Sequence, residues 1–152
     1  MKDPEITTFV ITYCSRDKDP SPEPLPAVDR YLSPRIRAAG EAASKLQLEF
    51  RILSGLYGLL EQDKMIPDYD HLLRSDQIQE HAKKLAGQLT ASTAGRVVFI
   101  TRSLAEDPGT EPYRQAMLQG CSIARVECEI LEIRPGDPSI SELVAGIWGP
   151  GR

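Results

Sequence analysis

Apolar residues fall along this chain in two alternating patterns, short continuous runs and helically spaced stripes. Residues 7–13 are β-branched and aromatic, too short and too continuous for an amphipathic helix. They predict a first strand, central and buried on both faces. Residues 48–53, closed by Ser54 and Gly55, predict a second strand, and residues 97–101, after Gly95, a third. Alternation of Val126, Cys128 and Ile130 predicts a strand over 126–133, at or near a sheet edge. Between these runs the spacing turns helical. Ile36, Ala39, Ala43 and Leu46 predict a helix over 35–46, with Ser33 as N-cap and Pro34 at the first helical position. Ile78, Ala82, Leu85 and Leu89 predict a second helix, capped by Ser75 or Asp76. A third covers 111–120 and ends on Gly120, and a short last one covers 139–147, with Ser139 capping it and Glu142 in capping-box position. Residues 55–70 read as an irregular connection with a short turn of helix. The alternation predicts one α/β domain over residues 1–152. Its mainly parallel sheet has about four or five strands with helices on both faces, a Rossmann-like three-layer sandwich.

Composition narrows the classes. With 152 residues, 41% hydrophobic and 26% charged, the chain reads as globular rather than disordered. A net charge of -4 argues against a protein that coats nucleic acid through bulk electrostatics. No run approaches the ~20 apolar residues that a bilayer span needs, so no membrane partner is expected. The polar stretch Met1 to Ile6 has no signal-peptide core behind it. Cys14, Cys121 and Cys128 make an odd count without a Cys-x-x-Cys pair, which predicts free thiols and a cytoplasmic setting. His71 and His81 are too far apart in sequence for a metal-binding helix motif, and neither a metal nor a cofactor is expected. The 12 prolines are the unusual item. Four of them alternate through 20–26, a run that favours an extended, polyproline-like loop.

In open α/β sheets ligands bind at the carboxyl ends of strands, and three segments are expected there. After strand one come Cys14, Ser15, Arg16 and Lys18, a thiol, a hydroxyl and two cations suited to an anionic or heteroaromatic ligand. Cys14 reads as a nucleophile or as a small buried strand end, and Lys18 as a ligand contact or a solvated partner of Asp17 or Asp19. After strand two, Gly55 and Gly58 allow a sharp turn and close backbone approach, with Tyr57 between them to stack on a ring. The third segment, 65–70, presents Asp68, Tyr69 and Asp70 behind Pro67. A carboxylate there serves as a general base or holds a hydroxyl, or is simply a solvated turn residue. There is also an internal echo: Val10, Ser15, Asp19, Pro20, Glu23 and Pro24 recur 88 residues later as Val98, Ser103, Asp107, Pro108, Glu111 and Pro112. A duplication and chance in a Pro-rich chain both account for it.

Taken together, Cys-Ser-x-x-Lys at 14–18, Tyr31 with Ser33 and Pro34, Ser-Gly-Leu-Tyr-Gly-Leu-Leu at 54–60 and Ile-Pro-Asp-Tyr-Asp at 66–70 resemble a widespread family of uncharacterised bacterial and archaeal proteins. The 54–60 block and the stretch behind it also resemble the peroxide stress proteins of the YaaA type. The likeness covers roughly residues 7–75 and fades beyond them. The YaaA resemblance implies protection from oxidative DNA damage and DNA binding through a positively charged cleft, whereas this chain is shorter and acidic.

The leading expectation is a pocket for a nucleotide, nucleobase or nucleoside, with any reaction a hydrolysis or transfer at a glycosidic or phosphate-linked centre. Ser15, Arg16 and Lys18 meet its anionic part, Tyr57 and Tyr69 flank a ring, and Tyr31, Ser33, Ser54, Gly55 and Gly58 complete the ligand set. Cys14 and Asp70 are the candidate catalytic groups. A DNA-binding alternative requires Arg35, Arg37, Lys45, Arg51 or Arg102 to gather on one face. A third reading is a non-catalytic interaction protein that docks through the Pro-rich loop.

Overall fold

The computed structural model describes residues 7–148; the polar N-terminal stretch Met1 to Ile6 lies outside them. The first strand, β1 (Thr8–Tyr13), is buried along its whole length, as its unbroken β-branched and aromatic run requires. The chain then crosses the Pro-rich loop to a two-residue strand β2 (Leu25–Pro26) and a single helical turn α1 (Ala27–Arg30). Helix α2 (Pro34–Lys45) leads to β3 (Glu49–Ser54), whose last three residues are buried. Beyond it lie β4 (Gly58–Leu60) and β5 (Met65–Ile66), then a 3-10 turn over Ser75–Gln77 running into α3 (Ile78–Ala91). The remainder is β6 (Arg96–Arg102), α4 (Glu111–Ala124), β7 (Glu127–Ile133) and α5 (Ile140–Trp148).

The main sheet has five strands in the order β4-β3-β1-β6-β7. β1 pairs in parallel with β3 and β6, β6 pairs in parallel with β7, and only β4 runs antiparallel. The fold is therefore α/β with a mostly parallel sheet, and β7 takes the edge as its alternating pattern predicts. Ile11, Ile52 and Phe99, on the three central strands, are each fully buried. Burial of each such side chain contributes about 1.5–3 kcal/mol. Helix α2 packs on β1, β3 and α5, whereas α3 packs closely on α4.

Several local expectations need correction. Residues 55–70 carry no helix: β4 hairpins back on β3, and β5 pairs with β2 to form a separate small ribbon. Gly120 does not end α4. Its absent side chain lets α3 come close, since a Cβ there would lie 3.0 Å from Leu85 Cβ and 3.1 Å from the Ala82 carbonyl oxygen. The helix ends instead on Arg125 in the left-handed conformation. Ser33 precedes α2, but its side chain makes no capping hydrogen bond, and neither Ser75 nor Asp76 caps α3. There Gln77 folds back, its Oε1 accepting from the Arg74 N–H at 3.0 Å. Ser139 does cap α5, accepting from Glu142 N–H at 3.2 Å.

The three cysteines are free. Among the described residues no helix is long and apolar enough to cross a membrane, and no three His, Cys, Asp or Glu side chains gather closely enough to hold a metal ion.

Candidate functional site

The chain leaves β1 for β3 on one side and later reaches β6 on the other, so strand order reverses between β1 and β6. In open α/β sheets such a reversal marks the place at the carboxyl edge where ligands bind. Every β1–β6 partner pair, Val10 with Val98 among them, is offset by the 88 residues of the sequence echo. The two similar loops thus leave adjacent parallel strands side by side. Thr12 Oγ1 donates to the Ile100 carbonyl at 2.7 Å, Tyr13 Oη lies 3.4 Å from Asp107 Oδ2, and Arg16 reaches across to Gly109.

On the other side of β1, side chains from four separate segments converge. Ser54 is fully buried at the end of β3, and its Oγ accepts the N–H groups of Leu56 and Tyr57, both at 3.1 Å. The same oxygen lies 2.8 Å from Tyr69 Oη, which is hydrogen-bonded in turn to Tyr31 Oη. The Tyr57 ring meets Tyr69 edge-on at 5.3 Å, and Tyr31 meets it edge-on at 6.4 Å. Lys18 Nζ sits 4.7 Å from the Tyr69 ring centre and 5.9 Å from that of Tyr31, a cation over two aromatic rings. It forms no ion pair with Asp17 or Asp19. Instead its backbone bridges to Tyr31, and Leu32 N–H donates to the Asp17 carbonyl at 2.9 Å, which holds the loop against residues 30–32.

Cys14 is buried beside this cluster, its Sγ 3.7 Å from Tyr113 Oη. Burial, reinforced by Cys14 and Tyr69, holds the Tyr31 phenol far above its usual range. Burial and then Cys14 push Tyr69 up to about 12, against hydrogen bonds from Ser54 and Tyr31 that pull it down. Tyr113 is likewise raised, chiefly by burial. All three phenols are therefore neutral hydrogen-bonding groups near neutral pH.

The structure divides the sequence-predicted set. Cys14, Lys18, Tyr31, Ser54, Tyr57 and Tyr69 come together. Gly55 backs them, because a Cβ there would stand 2.9 Å from Tyr113 Oη. Gly58 has φ +78° and lies under Gln88. Ser15 turns onto its own loop, its Oγ donating to the Asp17 carbonyl at 2.7 Å. Arg16 faces the loop after β6, Ser33 stays at the start of α2, and Asp70 is exposed and outside the hydrogen-bonded network. A separate cleft of about 420 Å³ opens beyond the 54–58 turn, between Leu73 and α3, and Gly55 alone of the candidate set lines it.

The profile of a family of unknown function, DUF6884, matches residues 10–129. The chain belongs to this family. No curated protein and no solved structure matches it. The family span contains the whole convergent cluster, including partners that sequence reasoning missed. Tyr113, on α4, accepts from Leu73 N–H at 3.2 Å as well as facing Cys14. His81, on α3, donates from Nε2 to the Ser54 carbonyl at 2.9 Å, and burial lowers its pKa. Gln88, also on α3, clamps the turn by accepting from Leu59 N–H at 2.8 Å. Arg35, named above only for a basic face, instead lies over the Tyr13 ring, its Cζ 3.6 Å from the ring centre, and donates to the Tyr13 carbonyl at 2.7 Å. No local motif marks these residues, because each acts across the fold.

The cations required by a nucleic-acid face are mostly spoken for. Arg37 pairs with Asp29, Arg51 with Glu49 and Glu61, and Arg102 with Glu106. The Pro-rich loop is held from beneath by the fully buried Arg30, which donates to the carbonyls of Asp19, Ser21 and Glu23.

Proposed function

We propose that this protein binds a small nucleotide-like ligand, a nucleotide, nucleoside or nucleobase, at the carboxyl edge of its sheet. The observation that carries this reading is the convergence of Lys18, Tyr31, Ser54, Tyr57 and Tyr69 from four separate segments around Cys14. An aromatic ring stacks against the half-buried Tyr57, and Lys18 meets an electron-rich or anionic group. Any reaction is a hydrolysis or transfer at a glycosidic or phosphate-linked centre, with the Cys14 thiol kept reduced in a cytoplasmic setting.

The same proposal takes the architecture as a Rossmann-like three-layer sandwich. α2 packs with α5 and α3 with α4, two helix pairs that right-handed crossovers on both sides of β1 would set on opposite faces. The resemblance to YaaA-type proteins enters as a likeness of the site words at 54–60 and 65–69. A DNA-binding role is the weaker reading because Arg37, Arg51 and Arg102 are matched by carboxylates.

Thermal-shift and calorimetric titration with nucleosides and nucleotides tests the proposal. At least one of them should raise the melting temperature of the wild type at millimolar concentration, and Lys18→Ala and Tyr57→Ala should each weaken it about tenfold or more. Absence of any response from the wild type overturns the reading.

A further inference from the structure

The hydroxyl groups of the cluster do not balance. A serine hydroxyl has one hydrogen and two lone pairs. Both Ser54 lone pairs are taken by the N–H groups of Leu56 and Tyr57, so its hydrogen is left for the contact with Tyr69 Oη. The Tyr31–Tyr69 contact consumes one phenol hydrogen, whichever ring donates it. Two phenols carry two hydrogens. One of them therefore has no acceptor within the network, and it cannot return to Ser54, whose lone pairs are filled. Neither phenol escapes this by ionising, since burial holds both above their usual range.

The neighbouring group is also a donor. Lys18 has three N–H hydrogens and no acceptor capacity, and among the described residues no carboxylate pairs with it. Its Nζ lies over the two rings that carry the hydroxyl pair, 4.7 Å from the Tyr69 centre and 5.9 Å from that of Tyr31. Donors left without an acceptor carry a desolvation penalty, and a group bringing lone pairs relieves it. An amino group on the ligand adds a further donor and meets repulsion.

We propose that Tyr31, Tyr69 and Lys18 form a donor-only subsite that takes a carbonyl or oxyanion oxygen of the ligand, making the pocket selective for oxo-substituted rings over amino-substituted ones. This rests on the small-ligand reading above and adds the polarity of the ligand atom that meets Lys18. Water supplies the acceptor in the free protein, and the ligand oxygen replaces it.

The test is calorimetric titration of the full chain with two matched pairs, inosine against adenosine and uridine against cytidine. Within each pair one member presents an oxygen where the other presents an amino group. The oxo member should bind about tenfold tighter, and Tyr31→Phe, Tyr69→Phe and Lys18→Met should each reduce that preference to below about threefold. Lys18 is only half-buried, so its substitution reads the subsite even where a phenol variant folds poorly. Equal affinities within both pairs overturn the proposal. If no nucleoside binds, acetate is the probe, followed by the ring signals of Tyr31 and Tyr69 in NMR spectra. Saturable shifts that vanish in Lys18→Met keep the donor-only subsite while the nucleotide reading falls; no shift overturns the subsite as well.

Discussion

Arg30 shows what a single buried charge does in this fold. Its guanidinium is fully buried and donates to four carbonyl oxygens, those of Asp19, Ser21, Glu23 and Ile66. A proline-rich segment has few N–H groups for sheet pairing, so its carbonyls need outside donors, and Arg30 gathers them. Arg30→Met keeps much of the aliphatic volume but strands those carbonyls. Hydrogen bonds to charged donors are worth about 1.5–3 kcal/mol each, and removing a desolvated cation offsets part of the loss. The expected net is about 2–4 kcal/mol in urea unfolding, with faster proteolysis in the 19–26 loop; an unchanged midpoint would show the pin to be dispensable. The tyrosines yield a second expectation at this scale. Tyr13, Tyr31, Tyr69 and Tyr113 are all raised by burial, so alkaline titration of the folded chain should show their ultraviolet phenolate signal well after the usual midpoint near 10. Ionisation of all five tyrosines together at that midpoint, with the fold intact, would contradict the network.

Among the elements, those with long apolar periodicity were legible and those made by a partner were not. β1, α2, β3, α3, β6 and β7 all lie within a few residues of their sequence patterns. The 55–70 region defeated the reading because β4 and β5 have three and two residues, too few for any period to show. Their pairing comes from β3 and β2 rather than from their own composition. The site divides the same way. Ser54 and Tyr57 sit in one compact word and Tyr69 in the next, whereas Tyr113, His81 and Gln88 are ordinary helix residues until α3 and α4 dock. The Gln88 clamp makes this dependence measurable. Gly58 has φ +78°, and a Cβ there would stand 2.3 Å from Gln88 Oε1. Gly58→Ala should therefore cost more than the ~1–2 kcal/mol of a left-handed alanine alone. In a Gln88→Ala background the clash is gone, so the two losses should sum to less than additivity requires. Strict additivity in a denaturation cycle would mean that the clamp does not press on Gly58.

Over the whole molecule, the site is a product of strand order. β1 is flanked by β3 and β6, so its loop faces the tyrosine word on one side and the echoing 103–112 segment on the other. The β3 end is fixed in turn by α3 through His81, which couples the site to global stability and to pH. Burial lowers the His81 pKa, Lys84 and His71 lower it further, and the hydrogen bond to the Ser54 carbonyl opposes them. A histidine with a depressed folded pKa binds its proton more readily in the unfolded chain. Its share of stability is thus fully present above the unfolded pKa of about 6.5 and is lost as pH falls through the lower folded value. Glu132 acts in a different window: hydrogen bonds from Arg114 and Arg134 lower its pKa, so its loss comes only below the ordinary carboxylate range near 4.5. Thermal midpoints should accordingly fall in two stages, a first below about pH 6.5 and a second below about pH 4.5. His81→Gln retains a donor for the Ser54 carbonyl but cannot titrate, so it should flatten the first stage and leave the second intact. Persistence of the first stage in that variant would assign it to other groups and uncouple His81 from the acid response.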